Sequence, residues 1–174
     1  MEKTIAAIST APAPGGIGIV RLSGREAFSI GEKVFRGVSG RALSQMKGYT
    51  AQLGAAFDAA GERLDDVVAL VFRAPKSYTG EDVVELSCHG GLYVTKRLLQ
   101  AVLDARRIAA IRRELLEQAS HLAAWADFPE EDVPEVEEQE LLAAIRRGEE
   151  ELSSLLAGFE RGRAYREGLE PVIA

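Results

Sequence analysis

The sequence predicts an α+β protein: an N-terminal mixed β-sheet domain with helices, followed by a partial α-helical domain. Three observations point there. Short β-branched runs punctuated by glycine fill the first hundred residues, whereas helical periodicity fills the rest. Residues 1–107 hold 14 Lys+Arg and 11 Asp+Glu, a balance of +3, while residues 108–174 hold 7 and 16, a balance of −9. Glycine divides the same way, 13 before residue 108 and 4 after it. These shifts mark two structural regimes, with a boundary expected at 105/106.

The elements follow in order. Thr4 to Ile8 is a short apolar strand, closed by Pro12 and Pro14. Ile17 to Leu22 is a second strand whose apolar residues on both faces predict burial. Arg25 to Phe35 reads as a helix, with Ala27, Ile30, Val34 and Phe35 near helical spacing. Tyr49 to Ala56 and Asp66 to Phe72 are strands joined by a hairpin loop at Asp58–Glu62. Val83 to Cys88 is a further strand, ended by Gly90-Gly91, and Leu92 to Leu103 is a helix. A separate helix carries Ile108, Ile111, Leu115, Ala119 and Leu122. Pro129 and Pro134 break it. A long helix follows, with Leu141, Ile145, Leu152, Leu155 or Leu156 and Phe159 on one stripe, and Arg161, Arg163 and Arg166 complementing its dipole. Two such helices cannot enclose their own stripes, so the first domain, a second copy or further sequence must cover them.

Composition excludes several classes. At 47 % hydrophobic and 28 % charged the chain is neither disordered nor fibrous. No apolar run is long enough for a transmembrane helix, and Met1-Glu2-Lys3-Thr4 does not open a signal peptide. The single cysteine, Cys88, leaves no internal disulfide and no cysteine-built metal site, and fits a reducing compartment, which predicts a cytoplasmic protein. A net charge of −6 argues against a basic coat for nucleic acid.

Two charges stand out as candidate binding residues. Arg21 and Glu85 each sit inside a strand that otherwise reads as buried. A lone buried charge costs several kcal/mol unless it is paired or bound. One reading is a structural ion pair between them. The other is a polar pocket for a ligand with donors and acid groups, such as a pterin, whose parallel N–H donors suit a carboxylate.

Other strings read more plainly. Gly15-Gly16-Ile17-Gly18 leads into a strand, not a helix, so it is no dinucleotide fingerprint; it reads as a tight turn needing positive φ. The P-loop pattern is absent. Cys88-His89 invites a nucleophile–base pairing, but neighbours on a strand point to opposite faces and no third orienting group is evident; a small buried cysteine and a strand-end histidine fit better. His121 reads as a packed helical histidine without metal-spaced partners. The run from Asp127 to Glu140 carries eight carboxylates, lacks EF-hand spacing, and reads as a solvated connector. Arg146-Arg147 and the three later arginines are too few and too separated for a nucleic-acid patch. No catalytic and no metal residue is assigned.

Thr4–Thr10, then Pro14-Gly15-Gly16-Ile17-Gly18-Ile19-Val20-Arg21-Leu22-Ser23-Gly24, resembles the start of the MnmE (TrmE) family of tRNA uridine-modification GTPases. Pro75-Lys76-Ser77-Tyr78-Thr79-Gly80-Glu81-Asp82-Val83-Val84-Glu85-Leu86-Ser87-Cys88-His89-Gly90-Gly91 resembles its second signature. Asp127–Asp132 resembles a signature of its helical domain, and Tyr165–Ala174 the lead into its GTP-binding domain. The resemblance implies a tetrahydrofolate-binding and dimerisation domain over residues 1–105, similar to the folate domain of the glycine-cleavage aminomethyltransferase, and a partial helical domain over 106–174. It implies 5-formyl-tetrahydrofolate or 5,10-methylene-tetrahydrofolate as cofactor, held by an arginine that falls on Arg21 and a glutamate that falls on Glu85. It implies a homodimer and an FAD-dependent partner, MnmG. With that partner, members form 5-carboxymethylaminomethyluridine at the tRNA wobble position.

The sequence also departs from the family. After Asp104-Ala105-Arg106-Arg107 it passes directly to Ile108, without the family's P-G-E-F-[ST] block or the N-G-K segment that holds its third folate residue, a lysine. The GTP-binding domain, with its GTP, Mg and K sites, and the C-terminal cysteine motif are absent from these 174 residues. Two rivals remain open: a purely structural dimer module, and a small stand-alone enzyme using Cys88 and His89.

Overall fold

The computed structural model describes residues 4–11, 15–127 and 137–167. The strands are β1 (Ile5–Ile8), β2 (Ile17–Ser23), β3 (Phe35–Gly37), β4 (Thr50–Phe57), β5 (Arg63–Phe72) and β6 (Val83–His89). The helices are α1 (Ala27–Val34), α2 (Leu92–Asp127) and α3 (Glu138–Glu167). The strands form one sheet in the order β1-β2-β6-β5-β4-β3, antiparallel at every pairing. The outcome is the α+β class that the sequence predicts. The chain divides into two compact units, Met1–Arg106 and Arg107–Ala174.

In the first unit the sheet has one buried and one open face. Val20 and Leu22 of β2, Val67, Ala69 and Val71 of β5, and Val84 and Leu86 of β6 are fully buried. Helix α1 packs on β2, β4 and β6, burying Ala27, Phe28, Ile30, Gly31 and Val34 at helical spacing. Leu98 and Val102, in the first turns of α2, are also fully buried. The alternate residues tell the opposite story: Ile5, Ile17, Leu53 and Val68 are exposed. The expectation that β2 is buried on both faces is therefore corrected. Its pattern is one-sided, and its isoleucines face outward.

Boundaries moved for identifiable reasons. The segment Asp58–Glu62 is the expected hairpin loop: the Asp58 carboxylate accepts the N–H groups of Ala60 and Glu62 at 3.0 and 2.9 Å, and Gly61 takes φ +82°. Strand β5 starts at Arg63, earlier than Asp66, because its polar start continues the ladder with β4. Helix α1 stops before Phe35, which enters β3, a three-residue strand too short to leave a period in the sequence. The helices expected at Leu92–Leu103 and from Ile108 are one helix of 36 residues, since Asp104-Ala105-Arg106-Arg107 contains no breaker.

The reading of the glycines around the start of β2 is also corrected. Neither Gly16 nor Gly18 has positive φ. Gly18 is glycine because the Thr95 side chain of α2 occupies the space a Cβ would need. Close approach of helix to strand, not a turn, sets the residue there.

In the second unit Ile111 and Ala144 are buried, and a Cβ on Gly148 would lie 3.2 Å from the Ile111 side chain. Small residues of α3 thus meet α2, while the anticipated stripe residues Leu115, Leu122, Ile145 and Leu152 stay exposed. Arg147 pairs with Glu114 at 2.6 Å. His121 is half-buried. Glu138 and Glu140 lie in the first turn of α3, where the helix dipole favours carboxylates. The expected break at Pro129 and Pro134, most of the acidic run, and the side chains of Phe159, Arg161, Arg163 and Arg166 lie outside the described residues. No described helix is long and apolar enough to cross a membrane.

Candidate functional site

Arg21 and Glu85 come together. They are direct partners in the β2–β6 register and project from the open face, because Val20, Leu22, Val84 and Leu86 take the core. Arg21 Nε donates to Glu85 Oε1 at 2.8 Å, and Nη2 of the same guanidinium lies 2.6 Å from that oxygen. Glu85 Oε2 has no partner among the described residues. The Glu85 side chain is only 12 % exposed, against 37 % for Arg21. A buried carboxylate normally fills its acceptor sites, so an idle oxygen at this depth is a binding resource.

The loop between β5 and β6 builds one wall. Tyr78 places its ring 5.5 Å from the Arg21 guanidinium carbon and packs against Phe72 at 6.0 Å. Ser23, fully on the site's side of β2 yet buried, hydrogen-bonds Thr79 at 2.8 Å and donates to Glu81 Oε2 at 2.6 Å. Ser77 donates to the Glu81 carbonyl at 2.6 Å. The loop is thus pinned by hydroxyl groups to the end of the strand that carries Arg21. Sequence reasoning assigned no role to Tyr78, Ser23 or Glu81, though all three lie inside the two motifs that carry Arg21 and Glu85.

Cys88 and His89 do not come together. Cys88 is buried, its thiol directed to the Gly18 carbonyl at 3.3 Å and near Thr95 Oγ1 at 3.7 Å. Burial pushes its pKa up, and the Asp65 charge adds to that, against the Thr95 hydrogen bond. A thiol held protonated on the core face is a poor nucleophile. His89 is exposed, and its Nδ1 lies 2.8 Å from Asp65 Oδ1 while its backbone N–H donates to Oδ2 at 2.7 Å. Burial alone would raise the Asp65 pKa, but the hydrogen bonds from His89 outweigh it and the net shift is downward. Asp65 is the orienting group that the sequence did not reveal; it holds His89, with the Asp66 backbone also bonded to it, and leaves Cys88 outside the pair.

No group of three or more His, Cys, Asp or Glu suited to a metal ion occurs among the described residues. A surface depression of about 320 Å³ is lined by Ser39, Arg41, Met46, Lys47, Thr50, Ala51 and Gln52, none of which belongs to the Arg21–Glu85 site.

The family model described as "GTP-binding protein TrmE N-terminus" matches residues 4–120, and the model "MnmE helical domain" matches residues 81–170. The chain belongs to the MnmE family. Curated relatives agree, each named tRNA modification GTPase MnmE. The protein of Symbiobacterium thermophilum is 34 % identical, covering 99 % of this chain and 49 % of its own length. That of Moorella thermoacetica is 36 % identical, covering 99 % and 48 %. That of Chlorobium luteolum is 35 % identical, covering 98 % and 47 %. The chain therefore spans about half the length of the relatives it matches. The first alignment runs to 225 positions against the 174 residues of this chain, so MnmE of Symbiobacterium carries at least 51 residues with no counterpart here. This chain holds the N-terminal and helical domains of an MnmE.

Proposed function

We propose that this chain is the folate-binding and dimerisation part of a tRNA-modification GTPase. The observation that carries the reading is Glu85 Oε2, buried and unpartnered among the described residues beside a half-exposed guanidinium. A reduced folate, 5-formyl- or 5,10-methylene-tetrahydrofolate, would bring its pterin N–H donors to that oxygen and its ring carbonyl to Arg21. Because Oε1 already faces two guanidinium nitrogens, acceptance through both oxygens at once requires Arg21 to loosen one contact. The folate would supply a one-carbon unit; the residues here bind and orient it.

The rest of the reading follows the family. The whole protein would bind GTP with Mg and K in a GTP-binding domain. With the FAD-dependent MnmG it would form 5-carboxymethylaminomethyluridine at the wobble position of tRNA in the cytoplasm. A homodimer through the N-terminal domain is supported by the exposed apolar residues Ile5, Ile17, Leu53 and Val68 on the open sheet face.

Calorimetry tests the site. 5-Formyl-tetrahydrofolate should bind this chain, and Glu85→Ala should weaken it while the circular-dichroism spectrum stays unchanged. Equal affinities in a folded variant would remove Glu85 from the site. One rival retains an observation of its own: the close Arg21–Glu85 pair also suits a purely structural dimer module. Such a module would show no folate-induced rise in Tm, whereas a binder is stabilised by mass action.

A further inference from the structure

We infer that the first unit carries a contact surface for unpaired RNA, built by Lys47-Gly48-Tyr49 and Lys76-Ser77-Tyr78 with Arg41 and Arg73 beside them. The inference rests on the tRNA reading above and names the surface that would meet the nucleic acid. It starts from charge that the chain average conceals. Residues 33–57 hold four Lys+Arg and no Asp or Glu, and residues 67–80 hold two and none. The fold lays these stretches side by side, since β4 and β5 pair from Thr50 and Val71 onward. Among the described residues no carboxylate pairs with Arg41, Lys47, Arg73 or Lys76. The acids close by are engaged with backbone: Glu32 accepts the Ser44 N–H at 2.7 Å, and Asp82 the Ala74 N–H at 2.9 Å.

The segments that bear the cations are fixed. Arg41 and Lys47 line the depression of about 320 Å³. Gln52 donates to the Arg41 carbonyl at 3.1 Å, and Thr50 to the Lys47 carbonyl at 2.5 Å. Arg73 donates to the carbonyls of Met46 and Ser44, so its charge stays unneutralised. The Tyr49 hydroxyl donates to the Lys76 carbonyl at 3.0 Å, which joins the two Lys-x-Tyr strings. Both tyrosines are open to solvent, Tyr49 at 63 % and Tyr78 at 82 % exposure. Their rings flank Phe72, with centroids 5.4 and 6.0 Å from it. Tyr49 also takes φ +61°, a conformation that bulky residues rarely adopt.

Cations beside exposed rings are the combination that holds unpaired RNA: phosphates meet Lys and Arg, and bases stack on the aromatic faces. A paired helix would use the cations and leave the rings idle. An anionic membrane would need protruding aliphatic side chains beside the cations, and Met46 of the depression is buried.

The experiment is fluorescence anisotropy of the 174-residue chain with a fluorescein-labelled RNA stem–loop and with a blunt RNA duplex of equal length. The stem–loop should bind at least about tenfold more tightly. Lys47→Gln should weaken it and lower the slope of log affinity against log salt by about 0.7. Tyr49→Leu should lose about tenfold, while Tyr49→Phe, which keeps the ring, should bind like wild type. If Tyr49→Leu fails to fold, the exposed Lys47 carries the test alone. Wild-type affinity and salt slope in a folded Lys47→Gln variant overturn the surface and leave the tRNA reading standing. Equal or tighter binding of the duplex overturns the unpaired assignment. Binding of neither RNA by the folded chain overturns the inference, and the tRNA reading then passes to the rest of the whole protein. Tighter binding to phosphatidylserine vesicles than to the stem–loop would make this a membrane surface and overturn it.

Discussion

Two nitrogens of Arg21 converge on one oxygen of Glu85, at 2.8 and 2.6 Å, and leave its other oxygen idle. Structural ion pairs commonly engage both carboxylate oxygens. On the folate reading proposed above, the idle oxygen is the one that would take the ligand. Glu85→Ala is expected to cost about 1 kcal/mol of stability, because the stranded arginine can still reach water, but about tenfold or more in affinity for 5-formyl-tetrahydrofolate. A thermal melt and a titration on the same sample measure both. A large fall in Tm with unchanged affinity would leave only the structural role.

The Thr95 side chain fills the space that a Cβ on Gly18 would need. Gly18→Ala should destabilise the first unit by about 1–3 kcal/mol through overpacking. Adding Thr95→Ala should recover part of that, since the atoms that clash belong to the threonine side chain. Urea unfolding of both single variants and the double variant gives the coupling directly. Additive losses would show that the helix yields instead.

Burial would raise the Asp65 carboxyl, but the hydrogen bonds from His89 hold it below the ordinary aspartate range. A lowered carboxylate pKa stabilises the fold above the unfolded value, and that contribution is lost as pH falls through the folded value. Asp65→Asn should therefore lower stability at pH 6 by about 1 kcal/mol, with the gap to wild type closing below about pH 3.8. Denaturant midpoints across pH 3 to 6 decide the point. A gap that stays constant with pH would mean that shape, not charge, matters at this position.

Cys88 should resist alkylation. With its thiol buried and its pKa raised, iodoacetamide at pH 8 should react at least about tenfold more slowly with the native chain than with the urea-unfolded one. Rapid native labelling would revive an enzyme built on Cys88 and His89.

Much of this was readable from residues. The strands declared themselves through β-branched runs, and Arg21 and Glu85 stood out because charge is rare inside such runs. What escaped reading depended on pairing. That Ile17 and Ile19 face outward follows from the one-sided packing of helices on the sheet, and apolar residues on both sides of β2 concealed it. Asp65 sits in a polar strand start, 24 positions from His89, and only the fold brings them within 2.8 Å. Tyr78 was visible within a motif, but its place over Arg21 depends on the loop that Ser23 clasps. In α3 the eye follows leucines, while the contact with α2 is made by Ala144 and Gly148, which leave no hydrophobic signal.

The alternation along β2 and β6 has a consequence for how such a chain can change over time. Arg21 and Glu85 point outward only because Val20, Leu22, Val84 and Leu86 point inward, and one count of residues sets both. Losing or gaining a single residue within either strand would turn the charges into the core and the core into water. Substitution can tune this site gradually, but length variation within these strands is closed to it. Insertions and losses must accumulate outside these two strands.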